Sequence, residues 1–432
     1  MGGPLAGKTI AVIGAGPAGA TAAYLLARSR LPRVLLFDQR PLLRPPEAGE
    51  KIPACGGCGG LVQASVMTRL KSIGLTLGSG VVQAHLDGYT IHYLKRSITL
   101  EIPSQGMVAV YRGWGPVRGG MARDSFDSSL AHDACAAGAE FLQEQVTGIQ
   151  LGDGVGGPAA IVTAGSIHHA DFVVGAFGHN RALSARILTS RLQPAPLDVP
   201  RIVRGAVREY EFGVSFVEQT YRRRVHVIFE PTPNIWFAAL IPKGPVVSIV
   251  LMGHRDTKAA DFDELFALPS MQGLLPAGDT RQHLKCGCVR SSLTVSSPRR
   301  FLVPDTGGIA LIGDAGPTRP RKNGLFAAID LAQKLATCLE RGGFSAQALR
   351  PFQYYALLNY VVDDMWADRT LALTGDVARI PVLGSLAVRA LAHGCRLPVL
   401  TSAMQEYARL ILTGEAPYWW IPFGVLSKLF GM

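Results

Sequence analysis

The sequence predicts an α/β fold, α+β overall, in which a Rossmann-like domain carries an inserted antiparallel sheet and a helical C-terminal region. Three observations lead to this prediction. The chain opens with a strand, a Gly-x-Gly-x-x-Gly turn and a helix; strand-like runs fill residues 200–255; and a second glycine turn, at residue 313, follows another buried strand. A chain of 432 residues divides into two or three domains.

Residues 8–40 form the unit around which the chain is organised. Two apolar runs flank an Ala-rich stretch, which predicts a strand, a helix and a parallel strand ending at Asp38. Of the three glycines, Gly14 makes the turn, Gly16 lets the backbone approach a pyrophosphate, and Gly19 lets the helix pack on the strand. Asp38 would accept hydrogen bonds from a ribose. The pattern predicts a dinucleotide site; the alternative is a glycine-rich turn in an ordinary βαβ unit.

Composition and charge indicate which partners and which cellular compartment to expect for this protein. Lys and Arg number 43 against 32 Asp and Glu, a net charge of +11, so the surface could meet anionic lipid, nucleic acid or an acidic redox partner. No aromatic-interleaved basic stretch indicates nucleic-acid binding. The N-terminus lacks the apolar region of a signal peptide, and no apolar run reaches about 18 residues. We therefore expect a cytoplasmic protein whose membrane association, if any, is peripheral.

The stretch 41–60 is too rich in Pro and Gly for a regular element, and it carries Cys55 and Cys58 in a Cys-Gly-Gly-Cys-Gly-Gly loop. Three interpretations compete: half of a metal site completed by Cys286 and Cys288, a redox pair, or a loop packed closely against a cofactor. Seven cysteines, an odd number, fit a reducing compartment better than a disulfide framework. We expect no metal, and the redox pair and the close-packed loop both stay open.

The middle of the chain predicts a helix, a turn and a sheet. Arg123-x-x-Phe126 opens an amphipathic helix with Ser125 available as its cap, and a strand ends at the turn Gly175-x-x-Gly178. From residue 200 to 255, four or five strand-like runs without intervening helices predict an antiparallel sheet. Its aromatic residues form the floor of an apolar pocket or belong to the core; they are Phe229, Trp236 and Phe237.

The chain then returns to the first domain. Residues 309–312 predict a buried strand, Gly313 and Asp314 its turn, and 325–339 a helix whose N-terminus lies near Gly324. The last ninety residues are predicted to be helical. Aromatic and apolar residues beside one cation predict either a membrane-facing surface or a helix packed on the body of the protein; they are Trp419, Trp420, Phe423, Leu426, Lys428 and Leu429.

Taken together, these stretches resemble the geranylgeranyl reductase family, flavoproteins with the p-hydroxybenzoate hydroxylase type of FAD-binding fold. The resemblance rests on VIGAGPAGATAAYLLAR, the Cys-Gly-Gly loop, ARDSFDSSL, WFAALIPKG and LIGDAG, and so covers most of the chain. It implies FAD-binding segments at 1–80, 113–182 and 300–345. It implies substrate-domain strands at 81–112, an antiparallel substrate domain at 183–299 and a helical region at 346–432.

The resemblance also implies site residues and a reaction. The pyrophosphate would lie on the first glycine turn, the adenosine ribose at Asp38, and the ribityl chain at Asp314. The full set implied for FAD is Gly14, Gly16, Pro17, Ala18, Gly19, Asp38, Gln39, Arg40, Gly56, Gly57, Arg123, Gly313, Asp314, Gly324 and Leu325. Cys55 and Cys58 are the implied catalytic residues, and Trp236 and Phe229 the implied substrate-binding ones. The family reduces carbon–carbon double bonds of isoprenoid chains with hydride from reduced flavin.

Two positions depart from the family pattern. Phe177 occupies a turn where hydroxylase-type members carry an aspartate before the glycine, and it cannot accept hydrogen bonds as a carboxylate does. This departure argues against an NAD(P)H-dependent hydroxylase and suggests a ferredoxin-like or other electron donor. The loop also holds two cysteines where one is usual. Two alternatives remain open: a flavin monooxygenase of the same fold, and a non-catalytic flavin-bearing subunit of a membrane complex.

Overall fold

The structure is a computed structural model that describes residues 3–44, 58–102, 106–113, 125–152, 157–189, 193–230, 232–253, 255–319, 322–392 and 398–430. The predicted site residues Cys55, Gly56, Gly57 and Arg123 lie outside the described residues.

The first half of the chain contains thirteen strands and four helices among the described residues. In order they are β1 (Thr9–Ile13), α1 (Pro17–Arg28), β2 (Arg33–Phe37), β3 (Leu61–Val62), α2 (Ala64–Ser72), β4 (Val82–Leu86), β5 (Gly88–Tyr93), β6 (Arg96–Glu101), β7 (Met107–Val110), α3 (Phe126–Ala136), β8 (Glu140–Leu142), β9 (Val146–Gln150), β10 (Ala159–Thr163), β11 (Ile167–Ala170), β12 (Phe172–Gly175), α4 (Arg181–Ser184) and β13 (Ile187–Leu188).

The second half begins with strands and ends with helices. In order the elements are β14 (Arg201–Glu211), α5 (Val214–Tyr221), β15 (Arg224–Ile228), β16 (Ile235–Lys243), β17 (Val246–Gly253), α6 (Asp261–Phe266), β18 (Leu284–Ser296), β19 (Leu302–Val303), β20 (Gly308–Leu311), α7 (Gly324–Gly342), α8 (Ala346–Ala356), α9 (Val362–Arg379), α10 (Pro381–Leu391), α11 (Pro398–Thr413) and α12 (Ile421–Phe430).

The N-terminal unit folds as its sequence predicts. β1 pairs in parallel with β2 and with β12, and β12 pairs in parallel with β20, inside a six-stranded sheet ordered β19-β20-β12-β1-β2-β8. These strands are apolar runs because almost all their residues are buried on both faces of the sheet. Helix α1 packs between α3 and α7, so the first turn of the chain lies against the turn that follows β20. The predicted α/β class with a Rossmann-like domain is confirmed.

Two smaller sheets flank this domain. One is ordered β11-β10-β9-β13 and the other β3-β7-β4. Strand β13 lies within the predicted substrate domain, which was expected to start at residue 183, yet Ile187 pairs with Ile149 of β9. The pairing shows that this short strand belongs with the FAD-binding side, a boundary that local sequence pattern does not reveal.

The large sheet has seven strands in the order β18-β14-β17-β16-β15-β5-β6. It corrects two details of the prediction. Helix α5 intervenes between β14 and β15, because Val217 and Tyr221 form a buried helical stripe and the Tyr221 hydroxyl donates to the Leu274 carbonyl at 2.6 Å. The sheet is also not wholly antiparallel, since β5 arrives from the N-terminal half and pairs in parallel with β15.

The C-terminal helices cover one face of this sheet, which confirms the predicted helical region. Side chains on that face share one apolar cluster with Val388 and Leu391 of α10 and Leu412 of α11. The approach is close: a Cβ on Gly384 would lie 2.2 Å from the Tyr93 hydroxyl, so a larger residue would displace the buried Tyr93 ring where α10 crosses β5. Helices α10 and α11 therefore act as a cap over the sheet.

We compared the helices of the described residues with the length and hydropathy that a membrane span requires. None of them is long and apolar enough alone to cross a bilayer. One pair, Ala346–Val377 and Pro381–Leu391, meets the length and composition together but is bent by 103°.

A histidine pair lies in the large sheet. The Nε2 of His92 and the Nδ1 of His226 are 3.0 Å apart, and their rings stack. Burial lowers the pKa of His92 to about 4, and burial together with the charge of His92 lowers the pKa of His226 to about 3. Both imidazoles are therefore neutral at pH 7, and folding excludes protons that the unfolded chain would bind below pH 6.5.

This pair predicts acid sensitivity. Because the folded pKa values are depressed, the stabilisation is present above pH 6.5 and is lost as the pH falls from 6.5 towards 4, by up to about 1.4 kcal/mol per pH unit for each histidine. His226→Gln should flatten this decline in the free energy of unfolding, measured by urea denaturation at each pH. The matched change His85→Gln, at an exposed position, should leave the pH profile unchanged. Equal profiles for both variants would contradict the assignment.

Candidate functional site

The turn after β1 has the shape of a phosphate cradle. Gly14 has a φ of +99°, and a Cβ added to it would lie 2.5 Å from the Ala176 carbonyl oxygen. A Cβ on Gly19 would lie 1.8 Å from the Gly14 oxygen, so both positions require glycine. Gly16 differs: a Cβ there would meet only the Nη2 of Arg112, at 3.6 Å. The open side of the cradle therefore faces a guanidinium.

The first turn of α1 presents amide groups to the same space. Gly16 is its N-cap and provides no capping side chain, and Pro17 follows at the first helical position. Unpaired N–H groups and the helix dipole favour an anion at such an end. The turn therefore fits a pyrophosphate on three counts: an open glycine, free amides and a nearby cation.

Asp38 ends β2 beside this cradle and is nearly fully engaged. Its Oδ2 accepts from the Ala15 amide at 2.8 Å and from the Nη2 of Arg40 at 2.9 Å. Its Oδ1 accepts from the backbone amide and the Nε of Arg40 at 2.9 and 3.0 Å. A carboxylate has about four acceptor positions. A ribose hydroxyl would thus replace an Arg40 bond, and Gln39, which is exposed, stands at the rim. These roles in ribose binding stay predictions.

A buried ion cluster joins the cradle to α3. Asp127 is fully buried and accepts from the Nε and Nη2 of Arg112 at 2.6 and 3.0 Å, and from the Nη1 of Arg40 at 2.8 Å. Ser125 caps this helix, accepting from the Ser128 amide at 2.9 Å as the sequence predicts. Sequence reasoning missed Arg112 because its partner lies 15 residues away, across a segment that no local pattern connects.

The cluster keeps its charges. Burial alone would raise the pKa of Asp127, but Arg112 and Arg40 together hold it below its usual value. Burial opposes the charge of Arg112 as well, and the ion pair with Asp127 nonetheless raises its pKa. Two cations, Arg112 and Arg40, face Asp127, and Arg40 also pairs with Asp38. Arg112 is directed at the open side of Gly16.

The predicted turn at Gly313 lies next to the turn at Gly14. Gly313 has a φ of +62°, and a Cβ on it would lie 2.8 Å from the Cβ of Ala18 at the start of α1. Asp314 is half-buried, and its Oδ1 would lie 3.7 Å from a Cβ on Gly324, the first residue of α7. Leu325 follows in the same helical turn. Cradle, Asp314 and the N-terminus of α7 thus form a continuous track that suits an extended dinucleotide.

The described part of the cysteine loop lies near Arg112 and against the large sheet. The Cys58 sulfur accepts from the Gly60 amide at 3.4 Å, and a thiolate there would raise the pKa of Arg112. Gly60 has a φ of +71°, and its carbonyl accepts from the Val110 amide at 2.8 Å. A Cβ on Gly59 would lie 2.5 Å from a methyl of Val250. The loop therefore packs flat on the large sheet.

A lysine on the sheet meets this loop. Lys243 is fully buried, with its ammonium 3.3 Å from the Oε1 of Glu209 and 4.4 Å from the ring centroid of Tyr111. A Cβ on Gly60 would lie 3.0 Å from that ammonium. The motif WFAALIPKG was visible in the sequence, but sequence reasoning assigned Lys243 no role. Side chains alternate between the two faces of a strand, and this alternation puts Lys243 on the same face as Phe237. That pattern could have indicated Lys243 from the sequence.

The two predicted substrate-binding residues meet in one apolar cluster. Phe229 and Trp236 are half-buried, and their rings lie 6.1 and 4.9 Å from the ring of Phe237. Helix α9 covers Trp236, since a Cβ on Gly375 of this helix would lie 3.2 Å from the Nε1 of Trp236. The structure thus brings the two residues together, while substrate contact stays a prediction.

Phe177 folds back on the sheet. Its Cε1 would lie 2.9 Å from a Cβ on Gly175, so the ring covers the end of β12, and Gly178 follows with a φ of +61°. The position expected to carry a carboxylate in hydroxylase-type relatives is filled by an apolar ring.

Half of a metal site is one interpretation of the cysteine loop. Among the residues the structure describes, no three His, Cys, Asp or Glu side chains group as a metal site would require. Cys286 and Cys288 lie on β18, opposite Glu209 and Val207 of β14.

Comparisons with known proteins agree with this geometry. Residues 12–43 match a family model described as an NAD(P)-binding Rossmann-like domain. No curated protein matches the chain.

Solved structures share the whole architecture. A geranylgeranyl bacteriochlorophyll reductase-like protein from Thermoplasma acidophilum superposes with a TM-score of 0.63 at 17% identity, covering 98% of this chain and 99% of that one. A 2-methyl-3-hydroxypyridine-5-carboxylic acid oxygenase gives 0.58 at 17% identity, with 94% and 97% covered. A mutant of the halogenase PltM in complex with FAD gives 0.58 at 14% identity, with 97% and 85% covered.

These similarities establish the fold, which is that of flavin-dependent oxidoreductases. The resemblance to the geranylgeranyl reductase family is confirmed at the level of fold. The track from Gly16 to Gly324 fits FAD, the dinucleotide bound in one of these structures. At this identity the substrate is not transferable from one chain to another.

The cradle predicts a role for Arg112. Arg112→Met removes the guanidinium beside Gly16 and should weaken FAD binding at least about tenfold, since a charge-assisted contact contributes roughly 1.5–3 kcal/mol. Titration of the apoprotein with FAD, followed by flavin fluorescence, measures this loss. Arg33→Met, which removes an exposed arginine paired with Glu140, is the control and should bind FAD as the wild type does. Equal affinities for both variants would exclude Arg112 from the site.

Proposed function

We propose that the protein is an FAD-dependent reductase of carbon–carbon double bonds in an isoprenoid or similarly long apolar substrate. One observation carries the proposal: the track suited to FAD ends against an apolar sheet face, and that face lies beneath helices whose outer surface is itself apolar. A long apolar chain could move from a lipid phase to the flavin without entering water.

The residues have defined parts in this proposal. Gly16, the α1 amides and Arg112 would hold the pyrophosphate, and Asp314 and α7 would orient the flavin end. Bound FAD, once reduced, supplies hydride. Phe229, Trp236 and Phe237 would pack against the substrate and exclude water beside the ring. Cys58 and Cys55 are the two thiols that we propose for the reaction.

The electron donor is part of the proposal. Phe177 covers the end of β12 where hydroxylase-type relatives carry a carboxylate, and this supports a donor other than NAD(P)H. A small acidic redox protein of the ferredoxin type would match a chain with a net charge of +11.

The outer surface of the C-terminal helices supports peripheral attachment to a membrane. Most of the large apolar side chains that the structure exposes lie between residues 354 and 429, including Val382, Leu386, Trp420 and Phe423. Helix α10 turns Gly384 and Val388 inward while Val382 and Leu386 face out. Exposed cations of the same region include Arg379, Arg389 and Lys428. An apolar surface with basic residues favours an anionic bilayer.

Attachment through the C-terminal helices predicts that polar substitutions on their outer surface weaken binding to a membrane. The double variant Val382→Ser, Leu386→Ser should lower binding to vesicles of phosphatidylglycerol and phosphatidylcholine about tenfold, because two large apolar side chains no longer enter the interface. Cosedimentation measures the bound fraction. Ile167→Ser, an exposed apolar residue on β11 outside this surface, is the matched control and should bind as the wild type does. Undiminished binding of the double variant would refute the assigned surface.

The reaction is tested with one anaerobic turnover. The FAD-loaded protein is reduced with dithionite, and geranylgeranyl diphosphate or a geranylgeranyl-bearing lipid is added in vesicles. We expect the flavin absorbance to return and the product mass to rise by two hydrogens, because hydride and a proton add across one double bond. Mass spectrometry of the extracted lipid measures the product. A lipid that stays unchanged while the flavin remains reduced would count against the proposal.

Repeating the turnover in air tests the second candidate, a monooxygenase of the same fold. A product that gains one oxygen atom would favour it, and the oxygenase among the structural neighbours supports keeping this candidate. A flavin that exchanges no electrons with any lipid, in a protein that co-purifies with membrane subunits, would favour a non-catalytic role.

A further inference from the structure

We propose that Lys322 supplies a positive charge at the flavin end of the FAD track and thereby raises the reduction potential of the bound flavin. This inference rests on the proposed FAD cofactor and assigns a function to a residue outside all the motifs. Lys322 stands in the loop between Asp314 and α7, two residues before Gly324.

The residue that follows Lys322 is held by hydrogen bonds. Asn323 adopts a φ of +53°, and its side-chain amide donates to the Gly414 carbonyl at 3.2 Å and to the Ser65 hydroxyl at 3.3 Å. A Cβ on Gly414 would lie 2.8 Å from the Cβ of Lys322. Three segments, the start of α2, the loop before α7 and the end of α11, therefore meet here and fix the stem of the lysine.

The side chain points from the FAD-binding domain to the large sheet. The Lys322 ammonium lies 5.6 Å from the ring centroid of Phe237, whose neighbours are the apolar residues of the capped cluster. The distance is that of a cation–π contact. Lys322 therefore occupies the junction between the N-terminus of α7 and the apolar face, which is where the track from Gly16 through Asp314 ends.

The ammonium has no compensating carboxylate in the part of the chain that the structure describes. Burial, acting without an opposing charge, lowers its pKa to about 8. Three nearby buried or half-buried cations differ in this respect: Lys243 pairs with Glu209, Arg69 with Asp330, and Arg319 with Asp363. A desolvated ammonium without a partner is costly, and an anion bound beside it would offset that cost.

A reduced flavin is such an anion. Addition of two electrons and one proton leaves one negative charge on the ring system, and a cation in a water-poor site stabilises that form more than the neutral oxidised form. The N-terminus of α7 contributes a partial charge of the same sign. Lys322 would add a full charge, and the equilibrium between oxidised and reduced flavin would shift towards reduction.

The test measures reduction potential rather than turnover. FAD-loaded wild type and Lys322→Met are titrated against a reference dye while the flavin spectrum is followed. We expect the equilibrium constant for two-electron reduction to fall at least about tenfold in Lys322→Met, equivalent to about 30 mV. Lys322→Arg keeps the charge and should recover most of the potential.

Lys334→Met is the matched control. It removes a half-buried lysine from the middle of α7, where the ammonium lies 5.2 Å from the ring centroid of Tyr355, and it should leave the potential unchanged. Equal potentials in wild type and Lys322→Met, with FAD bound in both, would overturn the proposal for Lys322 alone. Failure of the wild type to bind FAD would instead overturn the proposed function.

Discussion

The buried carboxylate of Asp127 is the interaction on which the cofactor side of this protein depends. It joins three segments that are distant in sequence, because Arg40 follows β2, Arg112 follows β7 and Asp127 opens α3. A buried carboxylate between two guanidiniums is strongly destabilised if one partner is lost, so the three segments are held in one arrangement. That arrangement directs Arg112 at Gly16 and keeps Arg40 paired with Asp38. The geometry of the cradle therefore depends on the ion pairs of the cluster.

The large sheet faces two different environments. One face packs α5 and α6 in an ordinary core around Tyr210 and Tyr221, while the other receives the cysteine loop, the aromatic cluster and the C-terminal cap. Glycines make the second face possible: Gly59 and Gly60 let the loop lie on β16 and β17, and Gly384 lets α10 cross β5. An apolar sheet face between the proposed FAD track and a surface rich in exposed apolar residues is the feature that unites the proposed reaction with the proposed membrane attachment.

Local pattern predicted most of the framework. The first βαβ unit, the Ser125 cap, the turn at Gly313 and the helical C-terminal region follow from spacing and periodicity within a few residues. Helix α5 was missed because its eight residues lie between two strong strand patterns, and the parallel pairing of β5 with β15 was missed because the two strands are more than 130 residues apart. The candidate site residues divide in the same way. Their spacing in the sequence indicates Gly14, Gly16 and Asp38, whereas no local pattern indicates Arg112, Lys243 or Lys322.

The sequence by itself determined where a dinucleotide can approach the backbone, since a glycine turn between a strand and a helix is a local property of consecutive residues. Only the tertiary structure decided what surrounds that dinucleotide. Arg112 acquires its direction from Asp127, Phe229 and Trp236 become one cluster beneath α10 and α11, and the Lys322 ammonium comes to lie over Phe237. Each of these contacts depends on packing between segments far apart in the chain, and no periodicity along the chain encodes such a contact.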